Sequence, residues 1–182
     1  MDIDIRDAAI INALPTITSS GENGILTIGC GGGRIENWLA DNGYSVLATD
    51  IVDKREDEYK DIKFEELDIL NPPNIQVPIV ICSEVLEHLT DIVKVCSNLI
   101  ELAQDRLIIT IPVAQSYFSS DHVNFWFDVP MEQNGVNFRA VNEFYKLFAP
   151  YSVGISRIIT KQEDKVLEQR AYLIIVDLNQ KG

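Results

Sequence analysis

Three glycines and one aspartate in the first third of the chain have the types and spacing of a nucleotide-binding turn. Gly29, Gly31 and Gly33 follow a short apolar run and precede a helical pattern, and Asp50 ends the next apolar run. Glycine lets the backbone approach a ligand where a Cβ would collide, and the N-terminus of the following helix lies beneath the turn. A carboxylate at the end of a second strand can bind ribose hydroxyls. The stretch 24–50 therefore predicts a nucleotide-type binding unit.

The spacing of the glycines separates two classes of cofactor. A dinucleotide fingerprint has the pattern G-x-G-x-x-G. Its third glycine would fall on Arg34 or Glu36, depending on whether the pattern starts at Gly29 or Gly31. The chain has G-x-G-x-G instead. This spacing argues against a nicotinamide dinucleotide, although a tight strand-to-helix turn without a ligand also uses glycine.

A second group of reactive side chains lies near the middle of the chain. Glu84, Glu87 and His88 stand at positions i, i+3 and i+4, so a helix there would place them on one face. The only other histidine is His122. Imidazole and carboxylate groups transfer protons and, together, can bind a divalent cation. The candidate catalytic residues are therefore His122, His88 and Glu87, with His122 as the candidate general base.

Alternating strands and helices are needed to position these residues. Their pattern predicts one α/β domain over 1–182, with a mostly parallel sheet and helices on both faces. The last two apolar runs, 151–160 and 170–178, predict a closing antiparallel hairpin. The other predicted strands are 25–28, 45–49, 62–67, 77–82 and 106–111, and helices are predicted within 1–20 (helical spacing over 3–14), at 91–103 and at 138–148.

The segment 113–137 has no clear period and is rich in aromatic residues, among them Tyr117, Phe118 and Trp126. A segment of this length without regular structure is usually functional when it lies inside a compact domain. It predicts a lid or an acceptor pocket, with a plain core role as the alternative.

Composition predicts which substrates are disfavoured and where in the cell the protein is found. The net charge of −13 repels phosphate backbones, and no basic cluster offsets it, so nucleic acid is disfavoured as a substrate. No apolar run approaches 18 residues and the N-terminus lacks the layout of a signal peptide, so we expect no membrane span and a cytoplasmic location. Three cysteines without C-x-x-C spacing predict reduced, mostly buried thiols.

Four motifs in the same order resemble those of the class I S-adenosylmethionine-dependent methyltransferases. They are the glycine loop, Asp50, Asp68 and the run CSEVLEHL from Cys82 to Leu89. The resemblance implies a Rossmann-like domain with a seven-stranded sheet of order 3-2-1-4-5-7-6. It also implies that the loop wraps the amino acid end of the cofactor, Asp50 binds the ribose, Asp68 meets the adenine amino group and Ser83-Glu84 lies beside the methyl donor.

The cofactor-binding residues expected from this resemblance surround the four motifs. The family usually has an acidic residue near the cofactor's ammonium group at the position of Thr27, so the chain lacks one favourable charge there. Asp68 has an alternative role as an Asx-turn residue. The full expected set is Thr27, Gly29, Cys30, Gly31, Gly33, Asp50, Ile51, Asp68, Ile69, Ser83 and Glu84.

A narrower resemblance concerns the pattern Glu84-x-x-Glu87-His88 with a distant His122. It resembles the metal site of RNA 3′-end 2′-O-methyltransferases, and the string DHVNFW adds to this. Many small-molecule methyltransferases carry E-V-L-E-H-L without a metal, so no metal ligands are assigned.

Three functions are consistent with these residues. The first is methyl transfer from S-adenosylmethionine to an oxygen, nitrogen or carbon nucleophile, with a small molecule as the expected acceptor. The second is a cofactor-binding protein without turnover, which the threonine at position 27 and the compact length motivate. The third is a nicotinamide enzyme.

Overall fold

A seven-stranded sheet forms the centre of the protein. The computed structural model describes residues 3–15, 24–113, 122–124, 126–127, 131–133, 136–161 and 167–181. The strands within them are β1 (Gly24–Ile28), β2 (Ser45–Asp50), β3 (Phe64–Glu66), β4 (Val77–Ser83), β5 (Ala103–Pro112), β6 (Trp126–Phe127), β7 (Met131–Gln133), β8 (Val136–Ala140), β9 (Tyr151–Lys161) and β10 (Leu167–Lys181). The α-helices are α1 (Ile5–Ala13), α2 (Arg34–Asp41), α3 (Ile92–Leu102) and α4 (Phe144–Leu147).

The order of the large sheet is β3-β2-β1-β4-β5-β10-β9, and β6, β8 and β7 form a small second sheet. The first five strands pair in parallel, whereas β10 is antiparallel to both β5 and β9. Counted within this sheet alone, the order is 3-2-1-4-5-7-6, which confirms the prediction and the closing hairpin. The carboxyl ends of β1, β2 and β4 therefore lie side by side at one edge, where α/β proteins bind ligands.

Each face of the sheet has its own apolar core because successive side chains of a strand point to opposite faces. Leu26 and Val80 face the side covered by α3 and α4. Ile25 and Ile79 face the side covered by α1 and α2. Helices therefore cover both faces, as predicted. Burial of each such side chain contributes about 1.5–3 kcal/mol to the free energy of folding. This packing holds the strands, and the residues that follow them, in fixed positions.

The predicted helix 138–148 is wrong in its first half. Residues up to Ala140 belong to β8, a 3₁₀ helix follows at Val141–Glu143, and α4 covers only Phe144–Leu147. Strand pairing with β6 and β7 satisfies the backbone of β8. Side-chain hydrogen bonds also hold it, because the Arg139 guanidinium donates to Asn124 Oδ1, 15 positions away, at 3.1 Å and to Glu143 Oε1, four positions away, at 2.9 Å. Pairing within the small sheet thus overrode a local helical pattern.

The segment 113–137 is described only in part. Trp126 is fully buried in the core, which is the plain core role considered for this segment's aromatic residues. Tyr117 and Phe118 lie outside the described residues. The prediction of a lid or acceptor pocket for this segment stays a prediction.

Two further expectations concern the chain as a whole. Cys30, Cys82 and Cys96 are free and buried, as predicted. None of the helices in the described part of the chain combines the length and apolarity needed to cross a membrane.

Candidate functional site

The glycine loop connects β1 to α2 in a conformation that needs glycine. Gly29 has φ +74° and Gly31 has φ +52°, both in the left-handed region that side chains with a Cβ disfavour. A Cβ on Gly29 would lie 2.3 Å from Val85 Cγ2, whereas a Cβ on Gly31 would meet nothing within 4 Å. Gly29 therefore allows close packing on the segment after β4, and Gly31 borders open space that a ligand can enter.

Asp50 at the end of β2 is tied to this loop. Its Oδ2 accepts a hydrogen bond from the Gly31 amide at 3.0 Å, and its Oδ1 accepts one from the Ile51 amide at 2.8 Å. An ionised carboxylate has about four acceptor positions, so this one retains capacity for ligand hydroxyls. The neighbouring Ile51 side chain is 70% exposed, which leaves an apolar surface beside the carboxylate.

A cavity of about 360 Å³ opens between the glycine loop, the end of β4 and the two helices on that face. Six predicted cofactor-binding residues line it, and Gly31 and Asp50 adjoin it through their mutual hydrogen bond. The predicted residues in its wall are Thr27, Gly29, Cys30, Gly33, Ser83 and Glu84. Unpredicted residues in its wall include Arg6, Asp7, Arg34 and Glu36.

Asp68 and Ile69 lie apart from this cavity, after β3. The Asp68 carboxylate is exposed and accepts hydrogen bonds from the Leu70 amide and from Asn71 Nδ2, each at 2.9 Å. This is the Asx-turn role that was the alternative for Asp68. The Ile69 side chain is buried in the core, and its carbonyl accepts a hydrogen bond from Asn98. An adenine contact at Asp68 stays a prediction.

Helix α1 supplies charges that the sequence analysis did not connect with the site. Arg6 pairs with the Glu84 carboxylate at 3.2 Å, and Arg34 at the start of α2 pairs with Asp7 at 2.6 Å and with Asp4 at 2.8 Å. Arg6 and Glu84 are 78 positions apart. No local pattern reveals such a pair, because it depends on where α1 packs on the finished sheet.

Glu84 does not share a helical face with Glu87 and His88, contrary to the expectation from their spacing. Glu84 has φ +54°, and only Leu86–His88 form a single 3₁₀ turn. A left-handed φ at a residue other than glycine stores strain and often marks a functional site. The Glu84 carboxylate accepts from Thr110 Oγ1 at 3.1 Å and pairs with Arg6; burial raises its pKa, and Arg6 counteracts this shift.

The predicted catalytic residues meet at a second, smaller cavity of about 160 Å³. Glu87, His88 and His122 line it together with Arg6, Glu84 and Pro112. The two imidazole rings are 4.8 Å apart and almost perpendicular. His88 Nε2 lies 3.9 Å from the Glu87 carboxylate. Because Arg6 and Glu84 line both cavities, this ion pair forms the boundary between them.

Backbone hydrogen bonds bring His122 to this position. The amides of Val123 and Asn124 donate to the Glu87 carbonyl at 2.7 and 3.1 Å. The Asn124 side chain donates to the carbonyls of Leu86 and Leu89. Asn124 is thus a positioning residue that sequence reasoning missed, although it stands within the string DHVNFW that drew attention to His122.

Cys30 in the glycine loop is not suited to nucleophilic chemistry. Burial raises the pKa of its thiol to about 12, and the nearby carboxylates of Glu36 and Asp50 add to this shift. The reactive form of cysteine is the thiolate, which is therefore scarce at neutral pH. Cys30 contributes to the site as a residue of the cavity wall.

The glutamate and two histidines of the smaller cavity also form a candidate metal centre. The possible ligand atoms of Glu87, His88 and His122 all lie within 4.8 Å of one another. Of the quartet considered from the sequence, three residues come together, while Glu84 is engaged by Arg6 and Thr110.

Comparisons with known proteins concern the family and the fold. A family model described as a methyltransferase domain matches residues 7–151. Among curated proteins, none matches the chain significantly.

Several solved structures share the fold. Magnesium protoporphyrin IX methyltransferase from Synechocystis PCC 6803 with bound SAM has a TM-score of 0.63 at 18% identity, covering 95% of this chain and 80% of its own. An S-adenosylmethionine-dependent methyltransferase from Mesorhizobium loti has a TM-score of 0.68 at 13% identity, covering 96% of this chain and 98% of its own. A SAM-dependent methyltransferase from Methanosarcina mazei has a TM-score of 0.61 at 13% identity, covering 93% of this chain and 96% of its own.

Proposed function

Because this chain belongs to the methyltransferase domain family, we propose that it uses S-adenosylmethionine to methylate an oxygen, nitrogen or carbon nucleophile of a small molecule. The observation that carries this proposal is the pair of cavities that meet at the Arg6–Glu84 ion pair. The larger cavity holds the donor, and the smaller one receives the acceptor. Membership of this family also removes the support for a nicotinamide enzyme.

The larger cavity fits a cationic nucleoside donor. Gly31 leaves open space beside the loop, Asp50 offers acceptors for ribose hydroxyls, and Ile51 offers an apolar surface for a purine. The wall holds more acidic than basic side chains, which suits the sulfonium and ammonium groups of this donor. The acidic residues are Asp7, Glu36, Glu56 and Glu84, and the basic ones are Arg6 and Arg34. When bound, the sulfonium supplies an electrophilic methyl group.

The smaller cavity suits a compact acceptor and the removal of its proton. Aligned approach of a nucleophile at near-attack distance supplies much of the rate enhancement in a direct displacement. A base is needed only where the nucleophile loses a proton as it attacks. His122 and His88 are the candidate bases here, and Glu87 lies close enough to orient His88.

Cytoplasmic residence stays a prediction.

The test combines binding with transfer of a labelled methyl group. We expect calorimetry to detect binding of S-adenosylmethionine and of its demethylated product. With methyl-labelled donor and a fractionated extract, we expect label in the small-molecule fraction. Label in RNA instead would contradict the acceptor class, and binding without transfer to any fraction would favour a cofactor-binding protein without turnover.

A metal-assisted reaction is a second candidate, which the close grouping of Glu87, His88 and His122 favours. A divalent ion held there would polarise the acceptor hydroxyl, as in the RNA 3′-end enzymes that the sequence pattern resembles. The net charge of −13 disfavours RNA as the acceptor.

Chelation separates the two candidates. A metal-assisted enzyme would lose activity in EDTA, regain it with added Mn²⁺ or Mg²⁺, and lose it in the His88→Ala variant. For the reaction without a metal we expect activity to survive EDTA. Activity that survives both EDTA and the His88→Ala substitution would rule out the metal-assisted reaction. Activity that is lost in EDTA and returns when Mn²⁺ is added would support it.

A further inference from the structure

A buried carboxyl group in the wall of the larger cavity has not yet been assigned to one group of the ligand. Glu36 is the third residue of α2, directly beneath the glycine loop, and its side chain is 1% exposed. It lines the cavity together with Thr27 at the end of β1. Neither Glu36 Oε2 nor Thr27 Oγ1 has a hydrogen-bond partner of normal geometry among the described residues. Buried polar atoms without a partner are rare, because each costs free energy until a ligand or water meets it.

We propose that Glu36 binds the α-ammonium group of S-adenosylmethionine, with the Thr27 hydroxyl as an additional acceptor for the same group. The proposal rests on the proposed function, since it names the residue that holds the amino acid end of the donor. Helix α2 thereby supplies a negative charge where β1 carries a threonine. The presence of this carboxylate compensates for the charge that the strand lacks.

The charges around Glu36 indicate that a cation is the complementary ligand. Burial raises the pKa of its carboxyl to about 7, and its own backbone amide and the nearby Thr27 hydroxyl counteract part of this shift. Asp7 on α1 and Asp50 at the end of β2 raise this pKa further. Arg55, in the loop after β2, acts on Glu36 electrostatically. Two further cations line the cavity, and both are paired: Arg6 with Glu84, and Arg34 with Asp4 and Asp7.

Most of the Arg55 charge is already compensated. Its guanidinium donates to the Asp53 carboxylate at 3.0 Å through both Nε and one terminal nitrogen, and also to backbone carbonyls of the same loop. Arg55 therefore leaves Glu36 without a direct cationic partner. An ammonium group in the cavity would stabilise the ionised carboxylate, which an uncharged ligand does not do.

Calorimetry with three ligands tests the contact. S-adenosylmethionine and S-adenosylhomocysteine carry the α-ammonium group, whereas adenosine lacks it. For Glu36→Gln we expect the affinity for the first two ligands to fall about tenfold to a hundredfold, the usual value of a hydrogen bond to a charged group, with adenosine unchanged. Asp41→Asn is the matched control, because it removes an exposed carboxylate from the same helix. We expect it to change none of the three affinities.

Proton release gives a readout that a purely structural glutamate would not move. The bound cation favours the ionised carboxylate, so wild-type protein should release protons on binding below about pH 7, and affinity should rise from pH 5.5 towards pH 7.5. Glu36→Gln should abolish this release, measured by calorimetry in buffers of different ionisation enthalpy. The double variant Thr27→Asp/Glu36→Gln should recover affinity, because it returns a carboxylate to the same end of the cavity.

The outcomes separate this proposal from the proposed function. Equal loss of affinity for all three ligands, or proton release that persists in Glu36→Gln, would overturn the assignment of Glu36. Wild-type protein that binds S-adenosylmethionine with the expected Glu36 dependence but transfers no methyl group would overturn the enzymatic function alone. Wild-type protein that binds neither the donor nor its product would overturn both.

Discussion

Replacement of Asp50 with alanine is expected to lower the affinity for S-adenosylmethionine by at least about a hundredfold while the fold stays intact. Two hydrogen bonds from ribose hydroxyls to an ionised carboxylate are each worth about 1.5–3 kcal/mol when the partner is removed. The same carboxylate holds the Gly31 amide at 3.0 Å, so its loss also loosens the loop that borders the donor. Calorimetry gives the affinity, and urea unfolding gives the stability.

Two variants control this experiment. Asp50→Asn retains one oxygen that can accept from the Gly31 amide, so we expect an affinity between those of wild type and Asp50→Ala. Glu101→Gln removes an exposed carboxylate from α3, away from the ligand-binding edge of the sheet, and should bind as wild type does. Unchanged affinity in Asp50→Ala would refute the assignment of the ribose to this residue.

Gly29→Ala is expected to lower the free energy of unfolding by about 2–5 kcal/mol. About 1–2 kcal/mol comes from forcing an alanine into a left-handed conformation, and overpacking adds about 1–3 kcal/mol. The overpacking arises because the new Cβ would lie 2.3 Å from Val85 Cγ2, so β1 and the segment after β4 must separate. Urea unfolding followed by tryptophan fluorescence measures the change.

Gly31→Ala is the matched variant, since it has the same backbone requirement without the clash. Its Cβ would meet nothing within 4 Å, so we expect only the conformational cost of about 1–2 kcal/mol. Its Cβ would project into the open space beside the loop. We therefore expect the free energy of donor binding to change more than the free energy of unfolding. Equal destabilisation by the two substitutions would show that the cost arises from backbone conformation rather than from packing against Val85.

The overall fold was accessible from sequence because its signals are local and redundant. The uninterrupted apolar run ending at Cys82 indicates a strand covered on both faces, and the charged connection between the last two runs indicates a hairpin. The order of the sheet came from resemblance to a family, since strand order depends on long-range pairing. The same resemblance correctly identified the methyltransferase family.

Local signals were insufficient where tertiary contacts competed with them. Residues 138–140 carry a helical apolar pattern, yet hydrogen bonds from Arg139 to Asn124 and Glu143 help to hold them in a strand. The spacing of Glu84 and His88 suits a helix, yet the backbone of Glu84 turns into the left-handed region and its carboxylate meets Arg6. A partner 78 positions away at Glu84, and pairing with β6 and β7 at residues 138–140, outweighed an i, i+4 pattern.

The sequence by itself determined the α/β class, the glycine turn with Asp50, and the candidate histidines, because these depend on residue type and short spacing. Only the tertiary structure decided which of these residues meet. It grouped His88 with His122 across 34 positions, paired Arg6 with Glu84, and buried the carboxyl group of Glu36 beside Thr27. The physical reason is that ion pairs and hydrogen bonds require separations of a few ångströms, and the packing of α1 and α2 on the finished sheet sets those distances.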